Sequence, residues 1–365
     1  MKILPLAGPL TASALFFCAS AAAAGVLVPI PSVPGSTETF ARTINDKNVI
    51  VGRYIMPDGS SHGFFGTLAG EYITFDVPNG QTLAEGINNA GYITAQSNVA
   101  NDDCQIFGCQ FLRRPSGSIQ EITYKRAPFD GVPEQIVAEQ RFVGQYSYID
   151  QNENFFIYGY YGRGPRYTAH LRLPFNTSRT RPRGLAEDGT VTGWFSDYAG
   201  SHGFVLRNGT ATAYDYPDDN AFVTEFEGVN SNGWVPGAWL DENETFSRAF
   251  VLNIAKAKFS PIEVSGATYA FAGGVNAANL VVVNDDTSSY LYCPVAKTCP
   301  IHSPGERQIA ERWLPAAKLR TLACKNGCLE PFDATKAARV PPEVIRAAMA
   351  RDPELQREMR LPFRP

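Results

Sequence analysis

The sequence returns to one short segment at a nearly constant interval. A turn-forming Asn followed by an apolar strand occurs at Asn45, Asn88, Asn230 and Asn276, and Ala186 holds the equivalent position in another copy. Consecutive copies are 43 to 46 residues apart. A fixed period in this range is the signature of a repeat architecture.

A diverged copy is expected between Asn88 and Ala186, because these two positions are 98 residues apart, about two periods. The segment 136–141, followed by an apolar stretch at 142–146, fits this place. We therefore predict six repeats. They span approximately residues 35–79, 80–130, 131–176, 177–220, 221–266 and 267–300.

Each repeat has the pattern of four short strands. In the first copy, strand-forming residues at 39–44, 49–55, 61–68 and 71–78 are separated by Asn, Asp and Gly turns. A four-stranded antiparallel unit of about 45 residues is typical of a propeller blade. We predict an all-β, six-bladed β-propeller. Residues 26–30 are expected to pair with the last repeat and close the ring.

The N-terminus has the features of a signal peptide, with an early Lys2, an apolar stretch and a run of Ala before Gly25. We predict that residues 1–24 are removed and that the protein is secreted or periplasmic. No later segment reaches the ~20 apolar residues of a membrane span. Charged residues make up 19% of the chain without a long like-charged block, so we expect no nucleic-acid partner, and we expect a monomer.

Six cysteines remain after the signal peptide, and they fall into three close pairs. The pairs are Cys104 with Cys109, Cys293 with Cys299, and Cys324 with Cys328. Close, even-numbered cysteines in an exported chain favour local disulfides. Zinc binding is the competing interpretation, but the spacings are not those of two-residue zinc knuckles.

The composition changes after residue 300. Segments 306–322 and 342–359 are rich in Ala, Arg, Glu and Leu, with apolar residues near helical spacing. We therefore predict a short, partly ordered α-helical extension over 301–365. It carries 12 Lys and Arg against 8 Asp and Glu, so it could dock on the more acidic repeats or on a partner.

The repeats resemble the extracellular HAF-repeat family of bacterial proteins. The resemblance rests on Gly-Ile-Asn-x-x-Gly before a strand, on Asp-Gly-x-x-His-Gly-Phe at 58–64, and on an aromatic-Asp-x-Pro strand end at 75–78. Residues 202–204 and 214–217 repeat the last two features. The resemblance covers about residues 35–295. It implies export and a propeller-like β fold, and it carries no common activity.

Two His residues occupy the same position in different repeats, His62 in the first and His202 in the fourth. A shared general base or metal site across the ring is conceivable. We favour the alternative that each imidazole forms hydrogen bonds with the backbone of its own repeat.

An acidic residue recurs at the turn between the second and third strands of every repeat. These residues are Asp58, Asp103, Asp150, Asp197, Asp241 and Asp285. Asp241 and Asp285 lie in acidic runs that could bind calcium. Asp also suits the geometry of such turns, and no copy completes a calcium-loop signature, so we predict no metal site and treat calcium as the only cofactor to consider.

No motif for a known reaction occurs in the chain, and the catalytic residues, if any exist, are unknown. We predict a binding or scaffold module that uses loops on the propeller rim, with an unknown protein or polysaccharide partner. The alternative is a propeller hydrolase or lyase acting on an extracellular polysaccharide or peptide.

Overall fold

A computed structural model describes residues 25–330, apart from 79, 98–103, 105–107, 125–126, 129, 150–154, 178, 310–311 and 325–326. Within these residues the regular structure consists of β-strands and two short 3-10 turns, Ala138–Gln140 and Ala296–Thr298. The prediction of an all-β chain is confirmed. The predicted signal peptide and the predicted helix at 342–359 lie outside the described residues.

The described strands are β1 (Gly25–Pro29), β2 (Glu38–Ile44), β3 (Val49–Ile55), β4 (Ser61–Thr67), β5 (Tyr72–Phe75), β6 (Thr82–Ile87), β7 (Ile93–Ser97), β8 (Gln110–Arg113), β9 (Ile119–Glu121), β10 (Thr123–Tyr124), β11 (Ala127–Pro128), β12 (Gly131–Ile136), β13 (Arg141–Ile149), β14 (Phe155–Arg163), β15 (Tyr167–Leu171), β16 (Arg179–Leu185), β17 (Val191–Asp197), β18 (Gly200–Arg207), β19 (Thr210–Asp215), β20 (Val223–Phe226), β21 (Trp234–Leu240), β22 (Ser247–Asn253), β23 (Lys258–Ile262), β24 (Phe271–Val275), β25 (Val281–Asn284), β26 (Ser289–Cys293), β27 (Arg307–Ile309), β28 (Leu314–Pro315), β29 (Ala317–Ala323) and β30 (Leu329–Glu330).

We group the described strands into six antiparallel sets that follow the sequence repeats, and we call these sets units. Units 1 to 5 are β2–β5, β6–β9, β12–β15, β16–β19 and β20–β23, and unit 6 consists of β24–β26 with the N-terminal strand β1. Units 1 and 2 are separate four-stranded sheets, whereas parallel bridges between β14 and β16 and between β18 and β20 join units 3 to 5 in one larger sheet. Strands β10 and β11 form a small hairpin between units 2 and 3. The repeated Asn position, which we call the anchor, directly follows the first strand in units 1 to 4 and 6, and it lies four residues after the end of β20 in unit 5.

The anchor Asn shapes the turn that follows it. The Asn45 side-chain oxygen accepts hydrogen bonds from the backbone N–H groups of Lys47 and Val49, both at 3.0 Å. Asn88, Asn230 and Asn276 make the same pair of bonds. Three residues after the anchor the backbone is left-handed, as at Asn48 with φ 58° and Gly91 with φ 82°. Asn and Gly are the residues that tolerate this conformation.

The other end of the anchor amide links one unit to the next. Asn45 Nδ2 donates to the backbone oxygen of Asn88 at 3.0 Å, and Asn88 Nδ2 donates to that of Val137 at 3.0 Å. Asn230 Nδ2 donates to Asn276 O at 2.7 Å, and Asn276 Nδ2 donates to Asn45 O at 3.3 Å. We call this series the Asn ladder. Its last bond connects unit 6 to unit 1.

Two units lack an anchor amide, because Val137 and Ala186 occupy the position in units 3 and 4. Gln135, two residues before Val137, takes over the connection. Its side-chain oxygen accepts from the backbone N–H groups of Leu185 at 3.2 Å and Val229 at 3.3 Å, and its Nε2 donates to Val229 O at 3.3 Å. One glutamine therefore joins unit 3 to units 4 and 5.

Strand β1 pairs with β26 in antiparallel register, with Val26 opposite Cys293. This confirms that residues 26–30 pair with the last repeat. Unit 6 also contacts unit 1 through Ser289, whose hydroxyl donates to Thr39 O at 2.9 Å and accepts from Ala41 N at 2.8 Å. Apolar side chains fill the space between neighbouring units, as where Ile44 of unit 1 packs in one cluster with Val282 of unit 6.

The predicted helix over 306–322 is wrong, since this segment forms strands on the outer edges of successive units. Strand β27 pairs with β1, β28 with β23, β29 with β19, and β30 with β15. Pro315 would interrupt a helix here, because proline lacks the N–H donor of a helix interior. The outermost strand of a unit has backbone N–H and C=O groups with no strand partner on one side. The C-terminal strands form hydrogen bonds with these groups. Arg320 also pairs with Asp197 at 3.2 Å.

The three predicted cysteine pairs are disulfides in the structure. Their Cα atoms lie 5.2 Å apart for Cys104 and Cys109, 5.5 Å for Cys293 and Cys299, and 5.4 Å for Cys324 and Cys328. These sulfurs are therefore not available as zinc ligands. Within the described ranges, no helix is long and apolar enough to span a membrane.

The Asn ladder predicts a specific difference between two adjacent residues. Asn230→Ala removes the bond to Asn276 of unit 6 and two bonds within its own turn, so we expect a loss of about 2 kcal/mol in the free energy of unfolding. Ser231→Ala, at an exposed position in the same turn, is the control and should cost about 0.5 kcal/mol or less. Chemical denaturation measures both, and equal losses would contradict the role of the ladder.

Candidate functional site

Five charged side chains meet at the centre of the units. Arg42 of unit 1 places Nε 2.9 Å from Glu85 of unit 2 and Nη2 3.2 Å from Glu134 of unit 3. Its Nη1 lies 2.7 Å from Glu227, which follows the first strand of unit 5. Arg183 of unit 4 also contacts Glu134. We call these five residues the axial cluster, and the line on which they converge the axis.

The five residues share one position, three residues before the anchor, where unit 6 has Gly273. The strand register shifts at this point, for example between Ala41 and Thr43 around Arg42 and between Ala84 and Gly86 around Glu85. A β-bulge leaves one residue unpaired and redirects its side chain. In units 1 to 4 the bulge therefore turns the charged side chain from the sheet toward the axis, while Glu227 of unit 5 lies after the end of β20.

The axial cluster holds three carboxylates and two guanidinium groups, and the buried Arg53 nearby also interacts electrostatically with Glu85 and Arg42. Only 2% of the Glu134 side chain is exposed. Burial raises the pKa of Glu134 to about 7, helped by Glu85 and Glu227 and opposed by Arg183 and Arg42. Burial alone would lower the pKa of Arg42, but the three carboxylates raise it well above its ordinary value. Glu134 therefore exchanges a proton near neutral pH.

A cavity of about 70 Å³ lies on the axis beside this cluster. Each of the six units contributes residues at or next to its anchor. The lining consists of Ile44, Asn45, Asp46, Ile87, Asn88, Asn89, Gln135, Ile136, Val137, Leu185, Ala186, Glu187, Val229, Asn230, Ser231, Val275 and Ala277. Gln135 lines the cavity. Its chain neighbour Glu134 belongs to the axial cluster and not to the lining, so the cavity and the cluster are adjacent at these two residues.

The two candidate His residues are held separately, each by acids of its own unit. His62 Nδ1 lies 2.9 Å from Asp76 Oδ1. His202 Nδ1 lies 2.5 Å from Asp215 Oδ1, and its Nε2 lies 3.2 Å from Asp197 Oδ1. Burial lowers the pKa of His202, but the bonds to Asp215 and Asp197 outweigh burial and raise it. The partners lie within each unit, as expected from the sequence, but they are carboxylate side chains, so the prediction of backbone partners is wrong.

Ser60, His62 and Asp76 have the order of groups found in a catalytic triad, with His62 Nε2 2.8 Å from Ser60 Oγ. Ser60 Oγ, however, donates its proton to Asp58 Oδ1 at 2.6 Å, and its backbone N–H bonds the same oxygen at 2.9 Å. In unit 4 the position of Ser60 is occupied by Gly200, which has no hydroxyl, and His202 is still held by Asp215 and Asp197. The arrangement therefore stabilises the turn.

The candidate turn acids are also bonded within their own loops. Asp241 Oδ1 accepts from Thr245 N at 2.6 Å, and its Oδ2 accepts from Thr245 Oγ1 at 2.7 Å. Asp285 Oδ1 accepts from Thr287 N at 3.0 Å, and its Oδ2 accepts from Tyr290 OH at 2.8 Å. Asp103 and Asp150 lie outside the described residues. That these turns hold no metal site stays a prediction.

The axial cluster was missed by the sequence analysis. Its signal is a charged residue three positions before the anchor in five of six repeats, within the first strand in units 1 to 4 and directly after it in unit 5. Alternation along a regular strand does not reveal where such a residue points, because the bulge changes its direction.

Comparison with known proteins yields neither a matching protein-family model nor a matching curated protein. Among solved structures, a streptogramin B lyase is 12% identical with a TM-score of 0.40, covering 75% of this chain and 99% of that chain. The Hadza microbial sialidase Hz136 is 8% identical with a TM-score of 0.45, over 72% of this chain and 67% of its own. An Aleuria aurantia lectin is 10% identical with a TM-score of 0.40, over 76% and 96% respectively. Similarity at this level carries no inference about ligand or reaction.

The raised pKa of Glu134 predicts how stability changes with pH. A carboxyl whose pKa rises on folding stabilises the fold below its unfolded pKa of about 4.5, and this stability is lost as the pH rises toward 7. Glu134→Gln replaces this carboxyl group with an amide that does not titrate. We expect the free energy of unfolding of this variant, relative to wild type, to increase by about 1–3 kcal/mol between pH 5 and pH 8.

Chemical denaturation at the two pH values measures this difference. Glu139→Gln is the control, because Glu139 lies on the surface with 64% of its side chain exposed. Its difference from wild type should stay constant with pH. A Glu134→Gln difference that is equally constant would contradict a proton on the axial cluster.

Proposed function

We propose that the protein is an exported binding module with the fold of a six-bladed β-propeller, and that it binds its ligand in the cavity on the axis. The binding role predicted from the sequence is kept, while its site moves from the rim loops to the axis. The ligand is a small polar molecule, or the end of a polysaccharide or peptide, that fits among anchor residues.

The observation that carries this proposal is the lining of the cavity. Equivalent positions of all six units surround one space, as expected where blades meet at the centre of a propeller. Concave sites with a few convergent polar groups are the usual places for small ligands. Here the polar groups are side-chain amides and carboxylates held by the Asn ladder and its turns.

Export and membership of the HAF-repeat family are parts of the same proposal. Three disulfides favour an oxidising compartment outside the cytoplasm. The family motif corresponds to contacts between its His and the nearby acids. His62 contacts Asp76 in unit 1, and His202 contacts Asp215 and Asp197 in unit 4. These contacts give a reason for the motif to recur without a shared activity.

Binding is favoured over the hydrolase or lyase alternative because of where the acids lie. The described carboxylates that converge are Glu85, Glu134 and Glu227, and they are buried against Arg42 and Arg183. The cavity is lined by other residues. A substrate in the cavity would therefore not reach this group of acids.

Two alanines in one turn provide a matched test. Ala277 lines the cavity and Ala278 does not, and both are exposed. We would screen wild type by thermal shift against amines, polyols, carboxylates, amino sugars and short oligosaccharides. A ligand of the cavity should raise Tm by a few degrees at saturation.

The Trp variants decide whether such a ligand occupies the axis. Ala277→Trp should abolish the rise in Tm by filling the cavity, whereas Ala278→Trp should retain it. Ligands that raise the Tm of both variants equally, or the failure of every class to raise the Tm of wild type, would contradict the proposal.

A further inference from the structure

The outer edges of the units are not equally covered. Strands β27, β28, β29 and β30 add a further strand to the outer edges of units 6, 5, 4 and 3, in each case in antiparallel register. In unit 1 the outer strand is β5, and among the described strands it pairs with β4 alone. An edge strand of this kind exposes backbone N–H and C=O groups that can pair with another strand.

Strand β5 also lacks the features that usually prevent the addition of a strand. Its four residues include no Lys and no Pro, and its pairing with β4 has no bulge. Its central residue Ile73 is 57% exposed. The outer edge of unit 1 therefore combines unpaired backbone groups with an exposed aliphatic side chain.

Unit 4 shows how a strand fits on the same edge. Ile73 in β5 corresponds to Thr212 in β19, because each lies opposite the third residue after the motif His, Phe65 in unit 1 and Val205 in unit 4. In unit 4 this position is half-buried, since β29 covers it and places Thr321 directly opposite. The two hydroxyl oxygens of this pair lie 3.0 Å apart.

The charge beside the two edges is similar as well. In unit 4, Asp197 Oδ2 pairs with Arg320 of β29 at 3.2 Å. Asp58 lies at the equivalent turn of unit 1 and is exposed. Its Oδ1 accepts both bonds from Ser60, and in the described part of the chain its Oδ2 has no bonded partner. Asp76, directly after β5, adds a second carboxylate with 53% of its side chain exposed.

We propose that the outer edge of unit 1 binds an extended segment of a partner protein, which adds to β5 as an antiparallel strand. The segment carries a basic residue followed by an apolar residue. The basic residue pairs with Asp58, as Arg320 pairs with Asp197 in unit 4. The apolar residue lies opposite Ile73, at the place that Thr321 has in β29. This site is separate from the axial cavity, whose lining includes no residue of β5.

Peptides based on β29 are the probes, because β29 already fits the edge of a unit. The parent peptide has the sequence of residues 317–323, a second carries T321V, and a third carries both T321V and R320E. Fluorescence anisotropy of labelled peptides with the full chain measures dissociation constants, which should be on the order of 0.1 mM. We expect the T321V peptide to bind about threefold more tightly than the parent, and at least about fivefold more tightly than the peptide with both changes.

Three variants locate the peptide on β5. Ile73→Lys should abolish binding, because it places a positive charge on the edge that receives a basic segment. Ile73→Thr is the matched control, because it recreates the edge of unit 4, and it should bind the parent and T321V peptides equally. Ala277→Trp, which fills the axial cavity, should bind the peptides like wild type.

Asp58→Asn tests the charge, since the amide oxygen still accepts from Ser60. This variant should bind the two T321V peptides, with and without R320E, more nearly equally. Equal affinities of these two peptides for wild type would overturn the proposal, and so would binding that survives Ile73→Lys.

Hydrogen–deuterium exchange is an independent check of the free edge. The amides on the outer side of β5 should exchange quickly in the protein alone and more slowly with saturating T321V peptide. Slow exchange there without peptide would mean that a second copy or another part of the chain already covers the edge, and it would overturn the proposal.

Discussion

The structure depends on the side chain of the anchor Asn, which forms hydrogen bonds both within its own turn and to the next unit. The oxygen of the anchor Asn closes the turn after the first strand, and its Nδ2 donates to the backbone of the next unit, as from Asn45 to Asn88. A four-stranded sheet of this size cannot bury both faces alone, so each unit needs its neighbours. Because the turn and the inter-unit bond share one residue, the local conformation also fixes how adjacent units dock.

The axial cluster follows from the same geometry. The residues three positions before the anchors meet on the axis. These residues are charged in five units. Buried ion pairs often contribute little net stability, because desolvation offsets the attraction. The cluster is therefore better described as a contact that joins units 1 to 5 than as a large source of stability.

Much of the architecture could be predicted from the sequence, because it depends on local chemistry. The period set by the anchors, the three cysteine pairs and the pairing of residues 26–30 with the last repeat are all confirmed. The C-terminal segment was predicted wrongly. Its Ala- and Arg-rich composition favours a helix, but the unpaired edges of the outer strands select strands β27–β30.

The candidate site could not be predicted in the same way. His62, His202, Asp241 and Asp285 attracted attention because they recur, and each is bonded within its own unit. Arg42 and Glu134 are 92 positions apart in the sequence, and only the tertiary arrangement of the units brings them into contact. The same holds for Gln135, which replaces the missing anchor amide of unit 3, because this role is visible only from its bonds to Leu185 and Val229.

Hydrogen–deuterium exchange of Asn276→Ala tests the central claim most directly. Asn276 in unit 6 donates to Asn45 in unit 1, although the two residues are far apart in sequence. If the ladder runs around the ring, the substitution increases exchange at residues 274–281 and also at 43–50, and leaves unit 3 at 131–143 unchanged. Faster exchange confined to unit 6, with residues 43–50 as protected as in wild type, would contradict the account.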